Sequence, residues 1–165
     1  YVENYCEENV YRLCERCISA SSAAECYAVV VTNAARKVPI WCQRCAETRE
    51  EHVLWDYHVI LLVRNATESG STLVFDLDST LPFPCDAVTY IRESFRPHAT
   101  LDGRLRQCFR VVAAAEFVQH FASDRSHMRD ENSNWVSPPP PYSPIRGPKA
   151  GSAMNLDDWL AVPPQ

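Results

Sequence analysis

Trp55-Asp56-Tyr57-His58-Val59-Ile60-Leu61-Leu62-Val63, followed by the return run Thr72-Leu73-Val74-Phe75-Asp76-Leu77-Asp78, decides how the chain is built. Each run is short, apolar and rich in β-branched and aromatic residues, while Arg64 to Ser71 between them is polar and contains Gly70. That pattern predicts a β-hairpin whose strands are buried on both faces. His58 and Asp76 are the exceptions, polar residues at the ends of apolar runs. A symmetric hairpin centred on Thr67 sets them directly opposite one another, with Cβ atoms about 4.5–5.5 Å apart. At that separation a carboxylate accepts from an imidazole N–H, fixes its tautomer and leaves the other ring nitrogen free as a base. A core histidine satisfied by a neighbouring aspartate explains the pair equally well, so the chain has to be searched for a nucleophile.

The length of 165 residues suits one domain with a sizeable core, and a single domain over 1–165 is expected. The 46% hydrophobic and 22% charged content is that of an ordinary globular domain. A formal net charge of −5 gives no electrostatic footprint for nucleic acid or an anionic membrane. No apolar run approaches the roughly 20 residues of a membrane span, and no signal peptide is recognisable in a chain that opens at Tyr1 rather than Met. Eight cysteines in a chain with a good core read as reduced thiols in the cytosol rather than disulfide staples. Asn65-Ala66-Thr67 fits the glycosylation acceptor pattern and, in such a protein, is only a loop.

Taken in order, Asn4 is a good helix N-cap and Glu7 fits the capping-box position, which puts Cys6 in the first turn of a helix. Val10, Leu13, Cys14, Cys17 and Ile18 then form one apolar stripe. A thiol in a first helical turn feels the positive end of the dipole, which favours thiolate, while Glu7 and Glu8 oppose it. Cys14-x-x-Cys17 and Cys42-x-x-Cys45 have the spacing of a four-cysteine zinc site. The helix stripe already claims Cys14 and Cys17, and neither pair has a Gly or Pro turn beside it, so no structural metal is expected. Strands are predicted over Glu25–Thr32, Val38–Trp41 and Cys108–Val112, with 43–51 a solvated loop. Asp86 is predicted to cap a helix running to Phe95, with Val88, Ile91 and Phe95 on one face. A short helix is predicted over Ala113–Phe121 and a terminal helical turn over Asn155–Leu160. Residues 122–151 are polar and proline-rich, with Pro138 to Pro141 followed by Tyr142. They read either as a polyproline-II ligand for another domain's aromatic groove or as a strap packed on their own domain.

A thiol at a helix N-terminus followed by His and then Asp on neighbouring strands is the layout of papain-like and transglutaminase-like enzymes. That layout raises Cys6 above the inert, buried role usual for a lone cysteine.

Tyr5-Cys6-Glu7-Glu8-Asn9, Pro39-Ile40-Trp41, Trp55-Asp56-Tyr57-His58-Val59, Asp76-Leu77-Asp78 with Leu81-Pro82-Phe83-Pro84-Cys85, Phe121-Ala122-Ser123-Asp124-Arg125-Ser126-His127-Met128 and Pro138-Pro139-Pro140-Pro141-Tyr142 resemble, in order, the blocks of the protein N-terminal glutamine amidohydrolase family. The resemblance implies an α/β protein, an α-β-α sandwich around a mainly antiparallel sheet, related to the papain-like and transglutaminase-like cysteine hydrolases. It implies deamidation of an N-terminal glutamine side chain to glutamate and ammonia within the N-degron pathway. A cytoplasmic and also nuclear monomer, with no cofactor, is expected. The family's catalytic triad falls on Cys6, His58 and Asp76, the residues that the physical reading had selected. Recognition of the substrate α-ammonium needs an acceptor cluster, for which Glu7, Glu8, Asp56, Asp78 and Asp124 all remain open. Two departures stand out. The Cys-x-x-Cys pairs have no family counterpart, and the family continues past Gln165, so both ends are expected to be truncated. The rival expectations are a zinc-binding or polyproline-presenting adaptor without catalysis, and a protease or transglutaminase built on the same triad.

Overall fold

A computed structural model of the chain describes residues 1–20, 24–65 and 71–162. In chain order the elements are α1 (Cys6–Ser19), β1 (Glu25–Thr32), β2 (Val38–Trp41), β3 (His52–Trp55), β4 (His58–Arg64), β5 (Thr72–Phe75), β6 (Cys85–Asp86), α2 (Ala87–Tyr90), β7 (Cys108–Ala113), α3 (Ala114–His120), β8 (Ala122–Ser123), β9 (Ile145–Arg146) and α4 (Leu156–Leu160). Five strands form a sheet in the order β6-β5-β4-β1-β7, with every neighbouring pair antiparallel. Successive side chains of a strand point to opposite faces, so the apolar runs of β1 and β4 feed two cores. Ala28, Val30, Val59 and Leu61 pack on one face against Val10, Tyr11 and Cys14 of α1, Phe117 of α3 and Leu156 and Leu160 of α4. Val29, Val31, Ile60 and Val74 pack on the other against Val38 and Ile40 of β2 and against Tyr90 and Phe95. The expectation of a mainly antiparallel sheet with layers on both faces therefore holds for the described residues.

Several local readings are corrected. The run from Trp55 to Val63 is two strands. Trp55 ends β3, which pairs with β2, and Asp56 makes the corner by accepting the Tyr57 N–H at 2.9 Å, so β4 starts on His58. The β4–β5 register pairs Leu61 with Phe75 and Leu62 with Val74, which, extended, carries Asp78 rather than Asp76 opposite His58. A shift of two residues keeps the same face, so His58 and Asp76 still meet, diagonally. β4 is buried over its first half as expected, whereas only Val74 is buried in β5. The hairpin tip, including Thr67, Gly70 and most of the Asn65-Ala66-Thr67 motif, lies outside the described residues.

The capping box does not form: Asn4 has φ of 64°, and Tyr5 occupies the N-cap without a side-chain bond. The chain is instead guided into α1 by Asn9, whose amide donates to the Val2 carbonyl at 2.7 Å and accepts the Val2 N–H at 2.9 Å. Asp86 does cap α2, accepting from the Thr89 N–H at 3.0 Å, but the helix continues as a π-helical turn over Ile91–Phe95 and ends at Arg96 in the left-handed region. The wider turn directs Tyr90, Ser94 and Phe95 inward and leaves Val88 and Ile91 exposed, contrary to the expected face. The proline-rich segment is a strap on its own domain, tied down by the β8–β9 pair and by Arg125 Nη1 donating to the Pro140 carbonyl at 3.2 Å. Tyr142 lies under the guanidinium groups of Arg12 and Arg125, at 4.7 and 5.2 Å from its ring centre, so it is not offered to a partner groove.

Candidate active site

His58, the first residue of β4, has no solvent exposure, and Asp76, just beyond the end of β5, is almost as deeply buried. The imidazole Nε2 lies 2.9 Å from Asp76 Oδ1, which also accepts the Asp78 N–H at 3.0 Å. Oδ2 accepts from the Tyr90 hydroxyl at 2.7 Å and from Gln43 Nε2 at 3.2 Å. Four donors around one carboxylate are what a buried charge requires. Burial pushes the Asp76 pKa up, but His58 and the hydroxyl and amide donors outweigh it, and the net shift is downward. Burial pulls His58 down, and the facing Asp76 carboxylate raises it past its ordinary value. Trp55 stacks on the imidazole, with ring centres 5.2 Å apart and planes 23° apart, and holds the ring orientation. Nδ1 of His58 is buried and has no hydrogen-bond partner among the described residues.

Asp76 is held from the side of β2. The segment after β5 turns back with Ser79 N–H on the Asp76 carbonyl, Thr80 N–H on the Cys42 carbonyl at 2.8 Å and Arg44 N–H on the Asp78 carbonyl at 2.8 Å. Cys42 meets this turn at a φ of 56°, and its sulfur faces the Glu93 carbonyl, while Cys14 is enclosed in the core on the α1 side of the sheet. Among the described residues the two Cys-x-x-Cys pairs therefore do not come together as a ligand set, and the one grouping able to hold a metal ion is His58, Asp76 and Asp78. Asp76 already accepts four bonds and Asp78 Oδ1 accepts from the Tyr1 hydroxyl, so that grouping is largely occupied by protein donors.

Cys6 begins α1, as the sequence predicts, and its thiol is nearly buried. Cys6 packs in one core with Val59, the residue after His58, whose backbone N–H favours the thiolate. The side-chain partner of the thiol is Glu7 Oε2 at 3.7 Å, not His58. Burial raises the thiol pKa well above its ordinary value, and Glu7, Asp78 and Asp56 add to this, so the helix terminus does not leave a resting thiolate. The structure thus brings His58 and Asp76 into contact and sets Cys6 against the start of the strand that carries His58.

Glu7 and Glu8, two of the five candidate acceptors, belong to a cluster behind Cys6 that the sequence does not foretell. Glu7 is wholly buried, accepts from the Tyr57 hydroxyl at 3.0 Å, and has Oε1 3.6 Å from Nε2 of His127. Tyr57 and His127 are themselves 3.2 Å apart. Glu8, also wholly buried, pairs with Arg125 through two bonds of 2.7 and 2.9 Å. Tyr57 adjoins His58 in sequence, which is a weak cue; Gln43, Tyr90, Arg125 and His127 carry none that periodicity or spacing exposes.

The whole chain, residues 1–165, matches the family model described as N-terminal glutamine amidase. Three curated relatives are each named protein N-terminal glutamine amidohydrolase. The human protein is 41% identical, covering 100% of this chain and 79% of its own length. The Arabidopsis thaliana protein is 40% identical over 96% of this chain and 73% of its own, and that of Drosophila willistoni 43% identical over 88% and 71%.

Proposed function

This chain belongs to the N-terminal glutamine amidase family, and from that premise we propose that it hydrolyses the side-chain amide of an N-terminal glutamine in a peptide or protein, giving N-terminal glutamate and ammonia. The observation that carries the reading is the buried His58–Asp76 pair, its Nδ1 unpartnered, at the start of the strand against which Cys6 is set. In the proposed reaction Nδ1 takes the Cys6 proton and the thiolate attacks the δ-carbonyl carbon of the substrate. The tetrahedral intermediate collapses by breaking its C–N bond, and the imidazolium delivers a proton to the departing ammonia. Water, deprotonated by the same imidazole, then attacks the thioester, and collapse releases the carboxylate and the thiol. Asp76 stabilises the imidazolium in both halves. Backbone N–H groups in the first turn of α1 are the natural donors to the oxyanion. We further propose kinship with papain-like and transglutaminase-like hydrolases, and a cytoplasmic and nuclear monomer acting in the N-degron pathway.

The test is ammonia release from a Gln-initiated peptide with product mass as a second readout. Wild type should yield the Glu peptide and Cys6→Ala none. Peptide-bond cleavage, or transfer of the glutaminyl group to an added amine in place of hydrolysis, would move the assignment to a protease or a transglutaminase.

A further inference from the structure

An enzyme that acts on glutamine only at a chain terminus must read the α-ammonium group, and five carboxylates stand near enough in sequence to the site residues to be considered. Four are otherwise engaged. Glu8 is neutralised by two bonds to Arg125. Asp78 accepts from Tyr1, and Asp56 and Asp124 are exposed and cap the backbone N–H groups of Tyr57 and Ser126. Glu7 differs: it has no solvent exposure, adjoins the sulfur, and its Oε1 has no hydrogen-bond partner among the described residues. A buried acceptor left without a donor carries a free-energy penalty that a suitable ligand relieves.

We propose that Glu7 Oε1, walled by Tyr57 and His127, is the acceptor for the α-ammonium group of the substrate, and so the residue that restricts the enzyme to chain termini. The inference rests on the deamidase reading above. The donor the site lacks is a cation: His127 Nε2 is 3.6 Å from Oε1, beyond hydrogen-bond range, and burial, which depresses its pKa, disfavours an imidazolium there. His127 keeps about a fifth of its side-chain surface exposed, whereas Glu7 has none, so the ligand enters from the His127 side. His127 sits on a single 3-10 turn, Ser126–Met128, which follows Arg125 at a φ of 66°. Cys6 Sγ lies 3.7 Å from Oε2 of the same carboxylate, so the anchor and the nucleophile adjoin one another.

The experiment compares two peptides that differ in one group, a free N-terminal Gln and its analogue with the α-ammonium replaced by a neutral hydroxyl. Wild type should prefer the amine by roughly a hundredfold in kcat/KM, because the hydroxyl brings no charge to the buried carboxylate. Glu7→Gln, isosteric and still able to bond Tyr57, should reduce that preference to within about fivefold while still turning over the hydroxy peptide. Glu7→Asp, which keeps the charge but withdraws it by a methylene, should give an intermediate ratio and serves if the Gln variant does not fold. A loss of activity through general disruption would lower both peptides together and leave the ratio intact, and that result overturns the inference. Failure of wild type on both peptides overturns the deamidase reading itself, whereas wild-type turnover with an undiminished ratio in both variants overturns only the role of Glu7.

Discussion

Asp76→Asn isolates what the buried carboxylate contributes beyond its shape. Oδ1 faces two donors, His58 Nε2 and the Asp78 N–H, while Oδ2 faces the Tyr90 hydroxyl and the Gln43 amide. A hydroxyl can turn to accept and an amide can flip, so the Asn amide oxygen takes the Oδ1 place and its NH₂ group the Oδ2 place. The tautomer of His58 is then preserved, and what disappears is the charge opposite the imidazolium. At about 4 Å between charge centres and an effective dielectric near 20 that interaction is worth about 4 kcal/mol, or roughly a thousandfold in the rate of a step that passes through the imidazolium. The assay is steady-state ammonia release, with circular dichroism to confirm the fold. The His58 pKa should fall as well, because burial would then be opposed only by Asp78 and Glu7, and NMR titration of the imidazole reads this directly. A rate within tenfold of wild type in a folded variant would refute the reasoning.

At neutral pH iodoacetamide should modify the exposed Cys45 first and Cys6 late, the reverse of what a helix-terminal thiolate alone predicts; mass mapping that finds Cys6 leading would contradict its raised pKa. Arg125→Met leaves Glu8 buried without its partner and should lower stability by about 3–5 kcal/mol in urea unfolding, with Glu8→Gln added on top recovering part of the loss; no recovery would show that the guanidinium acts through packing on Tyr142 instead. Burial raises Glu7 from 4.5 to about 7, against the lowering pull of its own N–H, Tyr57 and Cys6. The folded state therefore holds a proton that the unfolded chain releases above its lower pKa, and stability falls as pH rises from 5 to 8, by about 2–3 kcal/mol. Glu7→Gln should remove that slope, and an identical pH dependence in wild type and variant would count against it.

How far the sequence carried depended on whether a residue's environment was set by its neighbours along the chain or by distant ones. β1 and β4 are interior strands whose unbroken apolar runs already specify burial on two faces, so their positions were legible. The hairpin register was not, because the turn lies outside what periodicity governs, and an error of two residues leaves the face pattern unchanged. His58 and Asp76 were therefore paired correctly from a register that is itself wrong. A 3.6-residue period puts Val88, Ile91 and Phe95 on one face, but the π-turn over Ile91–Phe95 breaks that register. Asn4 and Glu7 match a capping box in every local respect, yet Glu7 is drawn to Tyr57, fifty positions along, and the box is lost. Arg125 and His127, more than a hundred residues from the α1 groups they face, stand in one of the blocks of the family resemblance, but neither periodicity nor spacing marks their partners.

The start of α1 shows why the local rules fail there. An amphipathic helix would expose Glu7, Glu8 and Asn9, yet all three are buried along with Tyr5, Cys6 and Val10, so the helix enters the protein end-on. Each polar group then needs its own partner. Asn9 has the Val2 backbone and Glu8 has Arg125, while Glu7 alone keeps an oxygen without one. After burial, Glu7 is the largest influence holding the Cys6 thiol in its neutral form. A cation bound at Glu7 would cancel that opposition and lower the Cys6 pKa at the moment when the scissile amide arrives. An acetylated or internal glutamine brings no such charge. It would forfeit the nucleophile's activation as well as its anchor, and the restriction to chain termini would follow from chemistry as much as from fit.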